Sequence, residues 1–168
     1  MRSMWVSTLA MLGILSVAAA PRADVITDRT SPGPPVLINL RQPTLQATVI
    51  VTVQGVASPQ GQITALLYAT DDGFPAKEAK AKARISVPAS VGAVTLHFQD
   101  VPAGTYAVTV YHDANGNGRL DTNWIGIPKE PVAVSNNAKG RMGPPKFKDA
   151  KFVVDAEKKE LQISLVKI

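Results

Sequence analysis

The stretch 45–56, LQATVIVTVQGV, alternates apolar and polar side chains with a period of two. One face of the extended chain carries only small or β-branched apolar residues: Ala47, Val49, Val51 and Val53. The opposite face carries two threonines, an isoleucine and a glutamine. Because β-branched residues at this period are typical of a half-buried strand, the stretch predicts a strand with its valine face in the core.

Shorter runs with the same period follow along the chain. In VTLHFQ, for example, Val94, Leu96 and Phe98 are expected to point inward and His97 outward. The 12 glycines and 13 prolines favour many turns over long helices. About seven short strands separated by turns predict an all-β fold, an antiparallel β-sandwich of transthyretin- or immunoglobulin-like type with one long ordered loop. The runs 45–56 and 63–68, joined by the turn SPQG, are expected to pair as a hairpin or as adjacent strands.

The N-terminus has the layout of a secretory signal peptide. Arg2 precedes an apolar run, 4–20, that ends in small residues. Cleavage is expected after Ala18, Ala19 or Ala23, and an uncleaved membrane anchor is the less favoured alternative. The chain is therefore expected to be exported, to the periplasm or the medium. It would contact a membrane only through the signal peptide before cleavage.

The remaining chain is long enough for one domain with a substantial core. The segment 24–43 is rich in proline and predicts a flexible leader, with one short strand near 36–40. The predicted organisation has three parts and one internal feature: signal peptide 1–23, leader 24–43, a single β-sandwich domain 44–168, and within it the long loop 111–150.

Charge and cysteine content exclude several classes of protein. The formal net charge is +5, but its basic clusters, 77–84 and 139–151, lack interleaved aromatic residues, so nucleic acid is not an expected partner. The basic residues are expected to lie on solvated loops and edges, and weak attraction to anionic polymers or membrane surfaces is the alternative. The sequence has no cysteine, which excludes disulfides, thiolate metal sites and a lipid-anchored lipoprotein.

A polar stretch that begins at residue 113, DANGNGRLD, carries oxygen-bearing side chains on alternate residues. The spacing matches the first nine positions of the calcium loop D-x-[DN]-x-[DN]-G-x-x-D, in which glycine permits a sharp turn. Calcium prefers six to eight oxygen ligands, and alternate residues of a coiled loop direct their oxygens to one centre. The candidate ligands are Asp113, Asn115, Asn117, Asp121 and the backbone carbonyl of Arg119.

The match to the calcium loop is incomplete. Its twelfth position, normally a bidentate glutamate, is Trp124, and a strand rather than a helix enters the loop. Water, the carbonyl of Asn123 or the more distant Glu130 would have to complete the shell, and the affinity would be weak. A second interpretation stays open, because Asn-Gly and Asp-rich stretches are also ordinary turns that satisfy their own backbone.

Two further groups of residues are candidates for binding or catalysis. Trp124 would either pack the long loop onto the sandwich or serve as an exposed stacking platform for a sugar or a partner. Asn136 and Asn137 would cap turns or bind a ligand. His112 beside Asp113 suggests a hydrolase, but Ser135 lacks a G-x-S-x-G context and no oxyanion hole is evident, so catalysis is not expected.

Several motifs in order resemble one bacterial family. FQDVPAGTYAVTVYHD, HDANGNGRLDTNWIGIPKEP, SNNAKGRMGPPKF and DAKF are similar to the signature of small exported proteins known as domain of unknown function 2141 (DUF2141). The resemblance covers roughly residues 45–168 and implies an exported β-sandwich with no established activity. One departure is PVAVSNN, where members of the family tend to have a glycine- and aromatic-rich run.

Two motifs also resemble parts of other modules. VPAGTY is similar to a turn of carboxypeptidase-regulatory and transthyretin-like sandwiches, and the DxNxNGxxD run is similar to the calcium loops of B-type repeats in bacterial surface adhesins. Both likenesses imply binding or scaffolding, although fold alone does not fix function. We therefore expect a non-enzymatic binding or structural module with a calcium-stabilised loop. The alternatives are a carbohydrate- or cell-envelope-binding module and, least favoured, a hydrolase centred on His112.

Overall fold

A computed structural model of the chain describes residues 46–168. The predicted signal peptide, the leader and the short strand near 36–40 lie outside the described residues. Within residues 46–168, no helix has the length and apolar character needed to cross a membrane.

The described chain consists mainly of strands. The eight strands are β1 (Gln46–Val56), β2 (Gln62–Tyr68), β3 (Ala83–Pro88), β4 (Gly92–Pro102), β5 (Gly104–Asp113), β6 (Val132–Val134), β7 (Phe152–Val154) and β8 (Lys158–Ser164). The helical elements are one four-residue helix, α1 (Phe147–Ala150), and 3-10 turns at Glu78–Lys80 and Ser135–Asn137. The all-β prediction is confirmed.

The strands form two sheets. Three strands make the first sheet in the order β4-β1-β8, and the second has the order β3-β2-β5-β6 with β7 also paired to β5. All pairs are antiparallel except β1 with β8, which is parallel, so the sandwich is mixed rather than purely antiparallel.

The predicted pairing of β1 with β2 is wrong, because the turn SPQG carries the chain from one sheet to the other. β1 pairs with β4 and β8, whereas β2 pairs with β3 and β5. Alternation specifies which face of a strand is buried, and that requirement is met equally by a hairpin and by two strands in facing sheets.

The core lies between the two sheets. Val49, Val51 and Val53 of β1 are fully buried, as the alternation predicts, and each contributes roughly 1.5–3 kcal/mol by leaving water. Leu96 and Phe98 of β4 are buried beside them, while His97 points outward.

A second apolar layer covers the outer face of the second sheet. Leu66, Tyr68 and Tyr111 point away from the central core and are buried, with Phe74 and Phe147 packed against their cluster. The rings of Phe74 and Phe147 meet edge to face, with centroids 5.7 Å apart. Strands β2 and β5 are therefore buried on both faces, which holds the end of β5 rigidly.

The segment 111–150 is not a single loop as predicted. β5 continues to Asp113, β6 lies within the segment and pairs with β5, and α1 closes it. Three residues of β6 are too few to produce a clear periodic signal, so the sequence alone does not reveal this strand.

The VPAGTY turn between β4 and β5 is fixed by a tyrosine. The hydroxyl of Tyr106 donates to the carbonyl oxygen of Pro102 over 3.0 Å. A Cβ on Gly104 would approach the ring of Tyr106 to 3.3 Å, so glycine leaves room for the ring to fold back. The arrangement is similar to the tyrosine corner of β-sandwiches.

Candidate functional site

Asp113 is the last residue of β5 and is fully buried. Its Oδ2 accepts hydrogen bonds from Nε2 of Gln62 and from the backbone N–H of Gly118, each over 2.8 Å. Its Oδ1 accepts the N–H of Asn117 over 3.0 Å. A buried carboxylate needs such donors, and here they fix the start of the loop to β2 and fold its glycine turn around Asp113.

We define the polar loop as residues 113–121. Within it, Asn115 and Asn117 both donate from their side-chain amides to the carboxylate of Asp121, over 2.7 Å and 3.0 Å. Their own oxygens accept backbone N–H groups two residues ahead, Asn117 and Arg119 respectively. The side chains that share the two-residue spacing are thus connected in one hydrogen-bonded cluster.

Glu130 bridges the two ends of the polar loop. It is nearly buried, and its two oxygens accept the backbone N–H groups of Ala114 over 3.3 Å and Asp121 over 3.1 Å. Arg84 of β3 donates from Nη2 to the carbonyl oxygen of Gly118 over 2.7 Å. The polar loop is therefore held at its start, its glycine turn and its end by residues distant in sequence.

The two buried carboxylates of the site have pKa values shifted in opposite directions. Burial alone would raise the pKa of Asp113, but the hydrogen bonds from Gln62, Gly118 and Asn117 outweigh burial and hold it below the ordinary value. Burial raises the pKa of Glu130, and the charges of Asp113 and Asp121 add to that rise. The carboxylates of Asp113, Asp121 and Glu130 are thus close enough to influence one another.

The polar loop could hold a hard cation such as calcium only by combining carboxylate, amide and carbonyl oxygens as ligands. Among residues 46–168, no three His, Cys, Asp or Glu side chains are placed to share a metal ion. A calcium ion would need the two carboxylates of Asp113 and Asp121, the amide oxygens of Asn115 and Asn117, and the carbonyl of Arg119. In the structure, the side-chain N–H groups of Asn115 and Asn117 donate to Asp121, so a bound cation would compete with them for the carboxylate.

A family model described as "Uncharacterized protein conserved in bacteria (DUF2141)" matches residues 51–162 of the chain. The chain belongs to this family. The matched range runs from β1 to β8 and includes the whole polar loop. Neither the curated proteins nor the solved structures gave a match.

In this DUF2141 chain, His112 and Ser135 serve internal contacts. His112 is buried, and its Nε2 lies 2.8 Å from the carbonyl oxygen of Gln60. Since a carbonyl only accepts, Nε2 carries the proton. The hydroxyl of Ser135, fully buried, accepts the N–H of Val108 over 2.9 Å and donates to the carbonyl of Ala150 over 2.6 Å.

Asn136 and Asn137, which follow β6, make hydrogen bonds to residues after α1 and in β8. Both adopt positive φ, at 59° and 48°, a conformation that asparagine tolerates better than most residues. Asn136 donates to the carbonyl of Lys151 over 3.0 Å, and Asn137 accepts the N–H of Ser164 over 2.9 Å. These contacts join the 3-10 turn to the end of α1 and to β8, and ligand binding by the pair stays a prediction.

Trp124 is 94% exposed, so the interpretation that it packs the loop onto the sandwich is wrong. The apolar packing is supplied instead by Leu120, which lies against the Tyr111 cluster on the second sheet. A hydrophobic residue in a loop predicts burial only on average, and here the turn that follows Asp121 directs Trp124 outward.

Sequence reasoning missed several residues that build the site. Gln62 and Arg84 contact the polar loop from β2 and β3, and Gly61 lies under the backbone of Asp113. No local motif marks these residues, because each acts through strand pairing that the sequence does not specify. Glu130 enters the sequence prediction only as a distant replacement ligand, and because β6 is not evident from the sequence, no local signal marks the role of Glu130.

Proposed function

We propose that this DUF2141 chain is an exported, non-enzymatic binding module whose binding element is the 113–131 loop, and that calcium stabilises this loop. One observation carries the proposal. The loop begins at a carboxylate, Asp113, that is 0% exposed and rigidly bonded, yet it presents Trp124 at 94% exposure. A rigid base that holds exposed apolar side chains is the arrangement expected of a binding loop.

The non-enzymatic part is supported by the surroundings of the two candidate catalytic residues. His112 is 3% exposed, and Ser135 is fully buried with its hydroxyl already bonded at both donor and acceptor positions. A nucleophile and its base need access to substrate and hydrogen-bond reach of each other. Export is supported by the N-terminal sequence pattern alone.

Calcium binding is supported by the donor set of the polar loop. If each carboxylate binds through one oxygen, two carboxylates, two amides and one carbonyl supply five ligands, so water would complete the shell. A shell with few charged ligands gives an expected Kd on the order of 10⁻⁴–10⁻³ M, as in extracellular modules. The ion would be held by Asp113, Asn115, Asn117 and Asp121, and it would offset the negative charge that these residues share with Glu130.

The test is isothermal titration calorimetry of chelator-treated protein, combined with thermal melts across 0 to several millimolar calcium. We expect heat of binding and a rise in Tm, both abolished in Asp121→Asn. Asp155→Asn, which removes an exposed carboxylate outside the loop, is the matched control and should behave like the wild type. Neither heat nor a Tm shift in the wild type would refute calcium stabilisation.

A sugar is the second candidate ligand, favoured by the free indole face of Trp124. Carbohydrate rings stack on such faces. A glycan array probed with the wild type and with Trp124→Ala separates the possibilities, since specific binding should disappear in the variant. Equally blank arrays for both proteins remove this candidate.

A further inference from the structure

We define the loop tip as residues 123–127. It exposes three apolar side chains within four residues: Trp124 is 94% exposed, Ile125 is 56% exposed and Ile127 is 40% exposed. A Cβ placed on Gly126, between the two isoleucines, would have no atom within 4 Å. Single exposed apolar residues are ordinary, but three on one protruding turn indicate a surface that enters an apolar environment.

The backbone of the loop tip is largely satisfied from within. The side-chain oxygen of Asn123 accepts the N–H groups of Ile125 and Ile127, over 3.1 Å and 2.9 Å. The N–H of Gly126 donates to the carbonyl of Asn123, and the N–H of Asn123 donates to the carbonyl of Ile127. Four of the five N–H groups of the tip are therefore paired internally, which lowers the cost of removing the tip from water.

The residues on either side of the loop tip add positive charge. Arg119 and Lys129 are exposed, and Arg119 makes only a long contact of 3.9 Å with Asp121. Lys129 belongs to none of the four ion pairs found among residues 46–168. The whole chain is also basic, with a sequence pI of about 9.6. The neighbouring carboxylates are less accessible, because Glu130 is nearly buried and Asp121 is half-buried with both oxygens hydrogen-bonded. The exposed charges beside the loop tip are therefore positive, and a negatively charged surface is their complementary partner.

The size of the apolar surface argues against a protein partner. A tryptophan buries about 150–250 Å², and two isoleucines add less than that each. A stable protein interface removes about 800 Å² from each partner, so the loop tip alone falls well short. A sugar site also needs free polar groups beside the aromatic ring, whereas the side-chain oxygen of Asn123 is already bonded to the backbone and Ile125 lies on the other side of Trp124.

We propose that the loop tip inserts into the interface of a lipid bilayer that contains anionic lipid, whereas the sequence predicts membrane contact only through the signal peptide. Trp124 takes a place at the headgroup level, where indole rings are favoured, and Ile125 and Ile127 reach the upper acyl chains. Arg119 and Lys129 contact the lipid phosphates. This inference rests on the proposed function of the 113–131 loop as a binding element and names its partner.

The test uses the full chain with Trp5→Phe, which leaves Trp124 as the only tryptophan. Fluorescence is recorded with vesicles of phosphatidylcholine alone and with vesicles that contain one quarter phosphatidylglycerol. We expect a blue shift of Trp124 emission and quenching by brominated acyl chains, strongest with the anionic vesicles and reduced by salt. Emission of Trp124 that stays unchanged with both vesicle types would overturn the proposal, as would equal insertion into neutral vesicles.

A flotation assay with matched variants isolates the loop tip from any other membrane-active segment. Trp124→Ser combined with Ile127→Ser should reduce binding to anionic vesicles at least tenfold. Met142→Ser, which removes a fully exposed apolar side chain elsewhere, should leave binding unchanged. Circular dichroism checks that each variant is folded. Equal losses in the two proteins contradict the proposal, and glycan-array binding that requires Trp124 without vesicle insertion assigns the tip to a sugar instead.

The calcium proposal and the membrane proposal can be refuted independently of each other. Vesicle binding is measured in chelator and in millimolar calcium, whereas calcium stabilisation is measured without vesicles. Binding that persists in chelator, with no calcium-dependent Tm shift, leaves the membrane proposal intact and removes calcium. A calcium-dependent Tm shift without vesicle binding removes only the membrane proposal.

Discussion

Gln62 and Asp113 face each other across the β2–β5 pairing, and the amide of Gln62 donates to Oδ2 of Asp113 over 2.8 Å. The contact joins a residue at the start of one strand to the last residue of another. It thereby fixes the point at which the polar loop leaves the sandwich. The position of the exposed loop tip depends on this buried contact.

Asp113→Asn should destabilise the protein by about 1–3 kcal/mol. Asp113 accepts three hydrogen bonds, from Gln62, Asn117 and Gly118, and asparagine offers one oxygen in place of two. Its amide would face donors, leaving at least one buried group unsatisfied. Urea unfolding in chelator measures the loss, and Asp155→Asn, at an exposed position, should stay within about 0.5 kcal/mol of the wild type. Equal stability of the two variants would contradict the anchoring role of Asp113.

Gly61→Ala should be much more harmful than Gly116→Ala. The two glycines have nearly the same backbone conformation, with φ of +70° and +69°. A Cβ at Gly61 would overlap the backbone oxygen of Asp113, whereas a Cβ at Gly116 would meet nothing within 4 Å. We expect a loss of about 1–2 kcal/mol for Gly116→Ala from left-handed strain alone.

For Gly61→Ala we expect the same strain and about 1–3 kcal/mol more from the forced displacement of the backbone. Thermal and urea unfolding of both variants give the difference. The difference between the two variants isolates the steric overlap at Gly61, because the strain of a positive φ is the same at both positions. Similar losses at the two positions would show that the close approach of Gly61 to Asp113 is not required.

Ser135→Ala should lower the free energy of unfolding by about 1–3 kcal/mol. The change leaves the N–H of Val108 and the carbonyl of Ala150 without their buried partner. Ser164→Ala is the control, because Ser164 is exposed and a surface change of this kind stays within about 0.5 kcal/mol. A stability of Ser135→Ala equal to that of the control would mean that water replaces the hydroxyl.

The protein should lose stability in alkali partly through Tyr68. Burial, aided by the charge of Glu78, raises the pKa of Tyr68 to about 12, above its ordinary value of about 10. Because the folded pKa is raised, the contribution of Tyr68 to stability is complete below pH 10 and is lost as pH rises towards 12. Its loss amounts to at most about 1.4 kcal/mol per pH unit.

Urea unfolding at pH 9, 10, 11 and 12 measures this dependence. Tyr68→Phe also loses the hydrogen bond from the phenol to the carbonyl of Pro75, so the slopes against pH are compared rather than the absolute values. We expect a shallower slope for the variant than for the wild type. Identical slopes would rule out a titrating Tyr68.

Much of the fold could be predicted from alternation. The buried valines of β1, the inward Val94, Leu96 and Phe98, and the outward His97 follow directly from a period of two. The spacing of the polar loop predicted that the oxygens of Asn115, Asn117 and Asp121 converge on one centre. The three side chains are adjacent in the structure, but the amides of Asn115 and Asn117 donate to Asp121, and a shared cation stays a prediction. These features are local, because they follow from the two-residue alternation of side-chain direction in a strand or in a tight loop.

Which strands pair with each other could not be predicted, because the backbone hydrogen bonds between strands are the same whatever the side chains and therefore do not specify a partner. β1 satisfies its alternation equally well beside β2 or beside β4 and β8, and only packing of the whole chain chooses the second arrangement. The short β6 is likewise a strand because β5 offers it an edge. The sequence pattern of three residues cannot specify this.

By itself, the sequence determined an all-β chain, the buried face of each principal strand, and a polar loop with regularly spaced oxygens. The tertiary structure alone decided that Gln62, Arg84 and Glu130 hold that loop, and that Trp124 lies in solvent rather than in the core. The physical reason is the range of the interactions. Periodicity and turn chemistry act within a few residues, whereas contacts between distant strands exist only after the two sheets have packed.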